Sequence, residues 1–302
     1  MIRNFIKFMQ EEPNNKMYLR LLFCIFTFLF VVFALLRAFN ALGFYFDTHE
    51  HIHSSYLISQ GLVPYRDFFE HHHPLLWYLL CPLVFGFGRD AAVIYAGRLV
   101  GIFGYICFLA LFYNTIKKYT KNNSTAAQIA VLVLFCFYHI WIDIQTLRPD
   151  IFMYVFIFAA LSSFFNYLQT HKAKYLCYSY LSWFISFLFL QKALIAGFGF
   201  ALANIWLLSK KEIKLKDVYT AAFFPLLGGC ILLLVLYKIG ALHEWWLYNF
   251  TFNGFLVSYY NIYSAGVGNL PFIAGILGII IIRYFRPTDE NITIFLCWLS
   301  TA

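Results

Sequence analysis

Apolar residues in this chain come in long unbroken runs, not in the single stripe of a soluble helix or the alternation of a half-buried strand. The runs cover approximately Met17–Ala38, Ala91–Ile116, Thr125–Trp141, Ile151–Leu168, Tyr175–Leu190, Ala193–Leu208, Val218–Tyr237 and Leu270–Ile282. A helix needs about 20 apolar residues to cross a bilayer. Barrel strands would instead alternate over about 10 residues, and with no water to satisfy the backbone, helices are the remaining way across. The pattern predicts an all-α polytopic membrane protein, one transmembrane domain over residues 1–302 with about eight complete spans. After a polar turn at Arg283–Glu290 the chain is apolar again up to Ala302. Twelve helical residues rise about 18 Å, against a hydrocarbon core of about 30 Å. The expectation is a truncated ninth span in a chain that is incomplete at its C-terminus.

Between the first two runs lies a long connection, residues 39–90, carrying DTHEHIHSSYLISQGLVPYRDFFEHHHPLLWYLLCP. Long connections inside a compact architecture are usually functional. Asp47, Glu50, His51 and Ser54 recur at helical spacing and share one face. Ile52, Tyr56 and Leu57 share another, suited to resting on a membrane surface. Gly61 and Pro64 mark a stop, and a second apolar segment starts near Pro74. Two interfacial helices are expected in this loop.

Charge orients the spans. Charged residues make up 12% of the chain, against about 25% in soluble domains. With the N-terminus in the cytoplasm, 15 of the 22 Lys and Arg residues fall in cytoplasmic segments, among them Lys117, Lys118, Lys172, Lys174, Lys210 and Lys211. Every loop then obeys the positive-inside rule. The net charge of +8 is therefore topological, and no nucleic-acid partner is expected. The first run follows a basic start without a small-x-small cleavage site and reads as a retained signal anchor, with a cleaved signal as the alternative. Seven scattered cysteines without CxxC spacing read as buried small hydrophobes.

Acids and histidines collect on the other side. Asp47, Glu50, Asp67, Glu70, Asp90, Asp143, Asp150 and Glu244 all fall there, as do eight of the nine histidines. Asp47 directly follows the apolar Phe44–Phe46, so it suits either a helix N-cap or a partly desolvated base. His49 and His53 stand at i, i+4, a spacing that suits zinc. His71, His72 and His73 add donors, but three consecutive rings cannot all point at one ion. The HExxH motif of zinc proteases is absent.

This loop resembles the GT-C superfamily of membrane glycosyltransferases, in its protein O-mannosyltransferase and lipid A aminoarabinose transferase branch. The resemblance rests on Asp47 after the first span, Gly61-Leu62-Val63-Pro64-Tyr65-Arg66-Asp67, and Phe69-Glu70-His71-His72-His73-Pro74-Leu75. Gly97-Arg98-Leu99, Arg148-Pro149-Asp150 and Lys192 also stand at family-like positions, and the likeness covers roughly residues 17–240. The family commonly carries adjacent Asp-Glu in this loop, whereas Asp47 is followed by Thr48.

The resemblance implies transfer of a sugar from a polyprenyl-phosphate donor to an acceptor hydroxyl on a glycan, lipid or protein, with inversion, at the outer face of the plasma membrane. Asp47 takes the place of the base, with Glu50 as the second acid. Arg148 and Lys192 are the candidates for the donor phosphate. On the residues alone, Lys192 also reads as a snorkelling anchor and Arg148 as a partner of Asp143 or Asp150. Asp67, His72, His73, Asp150, His243 and Trp246 are candidates for substrate contact. No cofactor is required by such chemistry; His49 and His53 are the candidate ligands if a metal is bound. The later aromatic stretch Lys238–Asn269 suits an interfacial belt or a lid. A transporter or flippase is the alternative, although such proteins place polar residues and broken helices near the midplane. A metal-dependent hydrolase rests on the histidines alone.

Overall fold

The computed structural model describes residues 13–40, 46–120 and 122–263. The expected Leu270–Ile282 span, the turn after it and the truncated last span lie outside the described residues. Among the described residues the regular elements are all helices, without strands. In order the helices are α1 (Pro13–Asn40), α2 (Phe46–Ser59), α3 (Leu75–Phe87), α4 (Ala92–Tyr119), α5 (Ser124–Leu134), α6 (Tyr138–Asp143), α7 (Pro149–Thr170), α8 (Ala173–Phe189), α9 (Ala193–Ser209), α10 (Leu215–Lys238) and α11 (Leu242–Trp246). A π-helical turn, Leu247–Phe252, then leads into α12 (Asn253–Tyr263).

Four of these helices are long and apolar enough to cross a membrane: α1 over Lys16–Phe39, α4, α7 and α10. Their large apolar side chains face outward in quantity. Phe28, Phe103, Leu226 and Tyr237 are each more than 60% exposed, which in water would be a severe cost and in lipid is the expected state. This composition is that of a membrane protein.

One expected span is not a single helix. The run Thr125–Trp141 breaks after Leu134, and α6 begins at Tyr138. Eleven residues of α5 rise only about 16 Å. Aromatic packing explains the break. Phe135 lies 4.9 Å from Phe30 of α1 and Trp141 lies 5.1 Å from the same ring. The Trp141 indole N–H donates to the freed Phe135 carbonyl at 2.6 Å. The chain gives up one helical turn to seat both rings on α1. At the other end, Asn123 caps α5 by accepting the Ala126 amide at 3.1 Å, as an N-cap asparagine should. The expected spans Tyr175–Leu190 and Ala193–Leu208 form α8 and α9, each 17 residues long.

Contacts divide the described residues into two compact units, one drawn from 13–61 and 76–165, the other from 62–75 and 166–263. In the first unit α1 packs on α4 and α5, and α2 packs on α4. Gly97, Gly101 and Gly104 open one face of α4. A methyl group on Gly97 would stand 2.8 Å from Ile52 of α2, one on Gly101 2.9 Å from the Thr146 carbonyl, and one on Gly104 3.1 Å from Ile151. The stripe admits α2 and the segment leading into α7. Ile52, expected to rest on the membrane surface, is therefore buried, because the missing Cβ of Gly97 leaves it a seat. α2 and α3 are the two helices expected in the loop. They join where Trp77 donates to His51 Nδ1 at 3.0 Å. Gly61, at a φ of 87°, ends the first of them as its position predicted.

In the second unit α8 packs on α9 and α10. Gly197 and Gly228 admit the rings of Trp183 and Phe184 from α8. Tyr167 donates to Asp217 at 2.8 Å, which ties the start of α10 to this unit.

Candidate functional site

The first unit builds its polar centre on the segment Gln145–Asp150, just ahead of α7. Three neighbours hold it. Arg37 of α1 donates to Gln145 Oε1 at 2.6 Å. The Leu147 amide donates to Thr48 Oγ1 of α2 at 3.0 Å. The Thr146 backbone lies on the cleft over Gly101 of α4. Gln145, Thr146 and Leu147 are all buried, so the segment is fixed from α1, α2 and α4 together. Pro149 then opens α7, where its missing N–H costs nothing. Asp150 follows in the first turn, where a negative charge suits the helix dipole.

This frame sets Arg148 between two carboxylates. Its Nη1 lies 3.3 Å from Asp47 Oδ2, and its Nε donates to Asp150 Oδ2 at 3.2 Å. Burial works against the guanidinium charge, but Asp150, Asp47 and Asp143 outweigh it and raise the Arg148 pKa. The group is a permanent cation. Beside it lies a cavity of about 310 Å³. Arg148 and Asp150 line it together with the rings of Tyr105, Phe108, Phe137 and Tyr154. A permanent cation thus adjoins an aromatic hollow, the pairing an anionic head on an apolar tail requires.

Glu50 lies one turn beyond Asp47 on α2, half-buried, and its carbonyl accepts from Ser54 at 3.0 Å. His49 and His53 line a different hollow of about 560 Å³, with Tyr56, Arg89 and Asp90. Of the polar face expected on α2, His51 and Ser54 are buried. Arg98 is buried too and donates to the Ala38 carbonyl at 3.0 Å, satisfying the end of α1.

The second unit holds the remaining candidates. Asp67 is engaged within its own turn. It accepts from Arg66 through both oxygens at 2.8 Å and from the Val63 amide at 2.8 Å. The Arg66 hydrogen bond, then the Val63 amide, pull its pKa down to about 2. Arg66 also donates to the Ile239 carbonyl at the end of α10, at 3.3 Å. Asp67 is thereby a brace for the loop. His73 is 1% exposed and packs edge-on to Phe187 and parallel to Trp245. Its Nδ1–H donates to the Phe187 carbonyl. Burial first, and the nearby His72 as well, hold its pKa down at about 4 against that hydrogen bond. His73 is a neutral interior ring and not a surface contact. His72 is partly buried, with Nδ1 3.7 Å from Glu70. Lys192 is exposed at the head of α9. His243 is 83% exposed beside Glu244, and Trp246 is 58% exposed against Phe250.

The structure thus joins three predicted site residues, Asp47, Arg148 and Asp150. Sequence reasoning missed Thr48 and Gly101, which make that meeting possible. Thr48 occupied the position where an acid was expected, and that departure was the available signal. Comparisons with known protein families, curated proteins and solved structures find no match.

Proposed function

We propose that the chain is a membrane glycosyltransferase that moves a sugar from a polyprenyl-phosphate donor to an acceptor hydroxyl at the outer membrane face. The observation that carries this reading is Arg148, held between Asp47 and Asp150 beside an aromatic-lined cavity. The donor's first isoprene units fit the aromatic hollow, and its phosphate fits the guanidinium. Phosphate oxygens arriving at Arg148 take over the N–H now facing Asp47. That frees the Asp47 carboxylate to accept the proton of the attacking hydroxyl. The hydroxyl oxygen then bonds to the anomeric carbon as the bond to the phosphate oxygen breaks, inverting the centre. Arg148 stabilises the departing phosphate, whose charge grows in the transition state. Glu50, one turn beyond Asp47 on α2, is the second acid. The positive-inside bias of the loops supports an inside N-terminus, which puts Asp47, just after the first apolar run, on the outer side in this reading.

The test is transfer of radiolabelled sugar from polyprenyl-phosphate donors by the purified chain in liposomes, with Asp47→Asn alongside. Transfer by the native chain and its loss in Asp47→Asn is the expected result. Full transfer by Asp47→Asn removes Asp47 as the base. Uptake or flipping of the donor with no transfer replaces the reading with that of a transporter.

A further inference from the structure

We propose that Glu70, His71 and His72 bind a divalent transition metal, and that zinc is the ion they fit. The inference does not depend on the sugar-transfer reading, and it moves the metal question away from His49 and His53. Each of the three residues offers a donor atom, and these atoms lie within 4.8 Å of one another. Zinc–nitrogen and zinc–oxygen bonds of about 2.0–2.2 Å would bring tetrahedral donors to about 3.3 Å apart. Zinc would draw the donors together by up to about 1.5 Å. The donor set of two imidazoles and a carboxylate suits zinc. Three protein ligands leave its fourth position for water or another donor.

The site is also built around those donors. Glu70 is 4% exposed and accepts the His71 amide at 3.2 Å, and a cation nearby stabilises a buried carboxylate further. The backbone beneath the ligands is pinned by three side chains. Gln191 and Asn253 donate to the His71 carbonyl at 3.1 and 2.8 Å, and Tyr65 donates to the His72 carbonyl at 2.6 Å. Phe69 and Phe252 stand against the His71 ring, with centroids 6.1 and 5.8 Å away. The His71 and His72 rings lie together, with centroids 4.1 Å apart. The third ring of the run, His73, is turned to Phe187 and Trp245, which resolves the difficulty of three consecutive imidazoles. These contacts hold the backbone that carries the donors in one position.

The experiment uses the full chain, purified in detergent without a polyhistidine tag, stripped with chelator and titrated with zinc alone. The expected result is one zinc retained per chain after desalting, with a rise in Tm. Cobalt substituted for zinc should give d–d absorption of low-coordinate geometry. Loss of an outer hydrogen-bond partner weakens metal sites about 10–100-fold, so Glu70→Gln or His72→Ala should weaken zinc at least that much. A His49→Ala/His53→Ala double variant should bind as the native chain does. Background zinc in the native chain overturns the proposal, and this measurement stands even if the variants misfold. Undiminished zinc in both Glu70→Gln and His72→Ala, or its loss in the His49/His53 double variant, also overturns it.

Discussion

Asp47 and Arg148 meet at 3.3 Å, the first in the opening turn of α2 and the second just before α7. The same guanidinium reaches Asp150 through a different nitrogen at 3.2 Å. One planar cation therefore serves two carboxylates in two directions, which a point charge on a flexible stem cannot do. Arg148→Lys keeps the charge and removes the fork. Sugar transfer in that variant should fall by about 10²-fold, the usual effect of losing one oriented donor to a developing oxyanion. The Tm should fall as well, since Asp150 and Asp47 lose their shared partner. Transfer equal to the native chain would reduce Arg148 to a structural ion pair.

The contact between Asp47 and Arg148 depends on Thr48. Its Oγ1 accepts the Leu147 amide at 3.0 Å, and both residues are 0% exposed. Thr48→Val keeps the shape and leaves a buried amide without its acceptor, at a cost of about 1–3 kcal/mol. Thr48→Ser restores the acceptor and should come back close to native stability. Equilibrium unfolding in mixed micelles measures both. If Thr48→Val matches the native chain, the hydrogen bond does not set the position of Arg148.

The long apolar runs made the helices legible, because length and continuity alone separate a spanning helix from other elements. Gly61 marked the end of α2 for a local reason, its positive φ. The break in Thr125–Trp141 was not legible. It arises from Phe135 and Trp141 seeking the same ring on α1, and periodicity carries no information on partners distant in sequence. The site divides the same way. Asp47, Arg148 and Asp150 were named from residue chemistry and resemblance, but only the fold shows that they meet. Asp67 and His73 drew attention as polar residues in a functional loop. Their partners, Arg66 and the Phe187 carbonyl, give both a structural task.

Gly101 tests whether the α4 stripe positions the site. A methyl group there would stand 2.9 Å from the Thr146 carbonyl and 3.4 Å from the Leu147 Cα, both backbone atoms that cannot rotate away. Gly101→Ala should cost about 1–3 kcal/mol, as overpacking does, and should lower transfer by displacing Arg148. Gly229 on α10 has nothing within 4 Å of the same added atom. Gly229→Ala should stabilise by about 0.5–1 kcal/mol, through helix propensity alone. Equal effects at the two positions would show that the contact with Thr146 does not matter.

Asp67 gives the loop a dependence on pH whose direction follows from its partners. Hydrogen bonds from Arg66 and the Val63 amide lower its folded pKa from 3.8 to about 2. The unfolded chain therefore binds more protons than the folded one between those values, and stability rises with pH there. The contribution is fully present above about pH 4 and is lost as pH falls through about 2. Arg66 is 45% exposed on its side chain, so salt should weaken the effect. Asp67→Asn should remove this part of the acid dependence and leave stability near neutral pH lower than native. Tm measured from pH 5 to pH 2, at low and high salt, decides the matter. An unchanged acid slope in Asp67→Asn would mean that other carboxylates govern it and that the brace to Arg66 adds nothing.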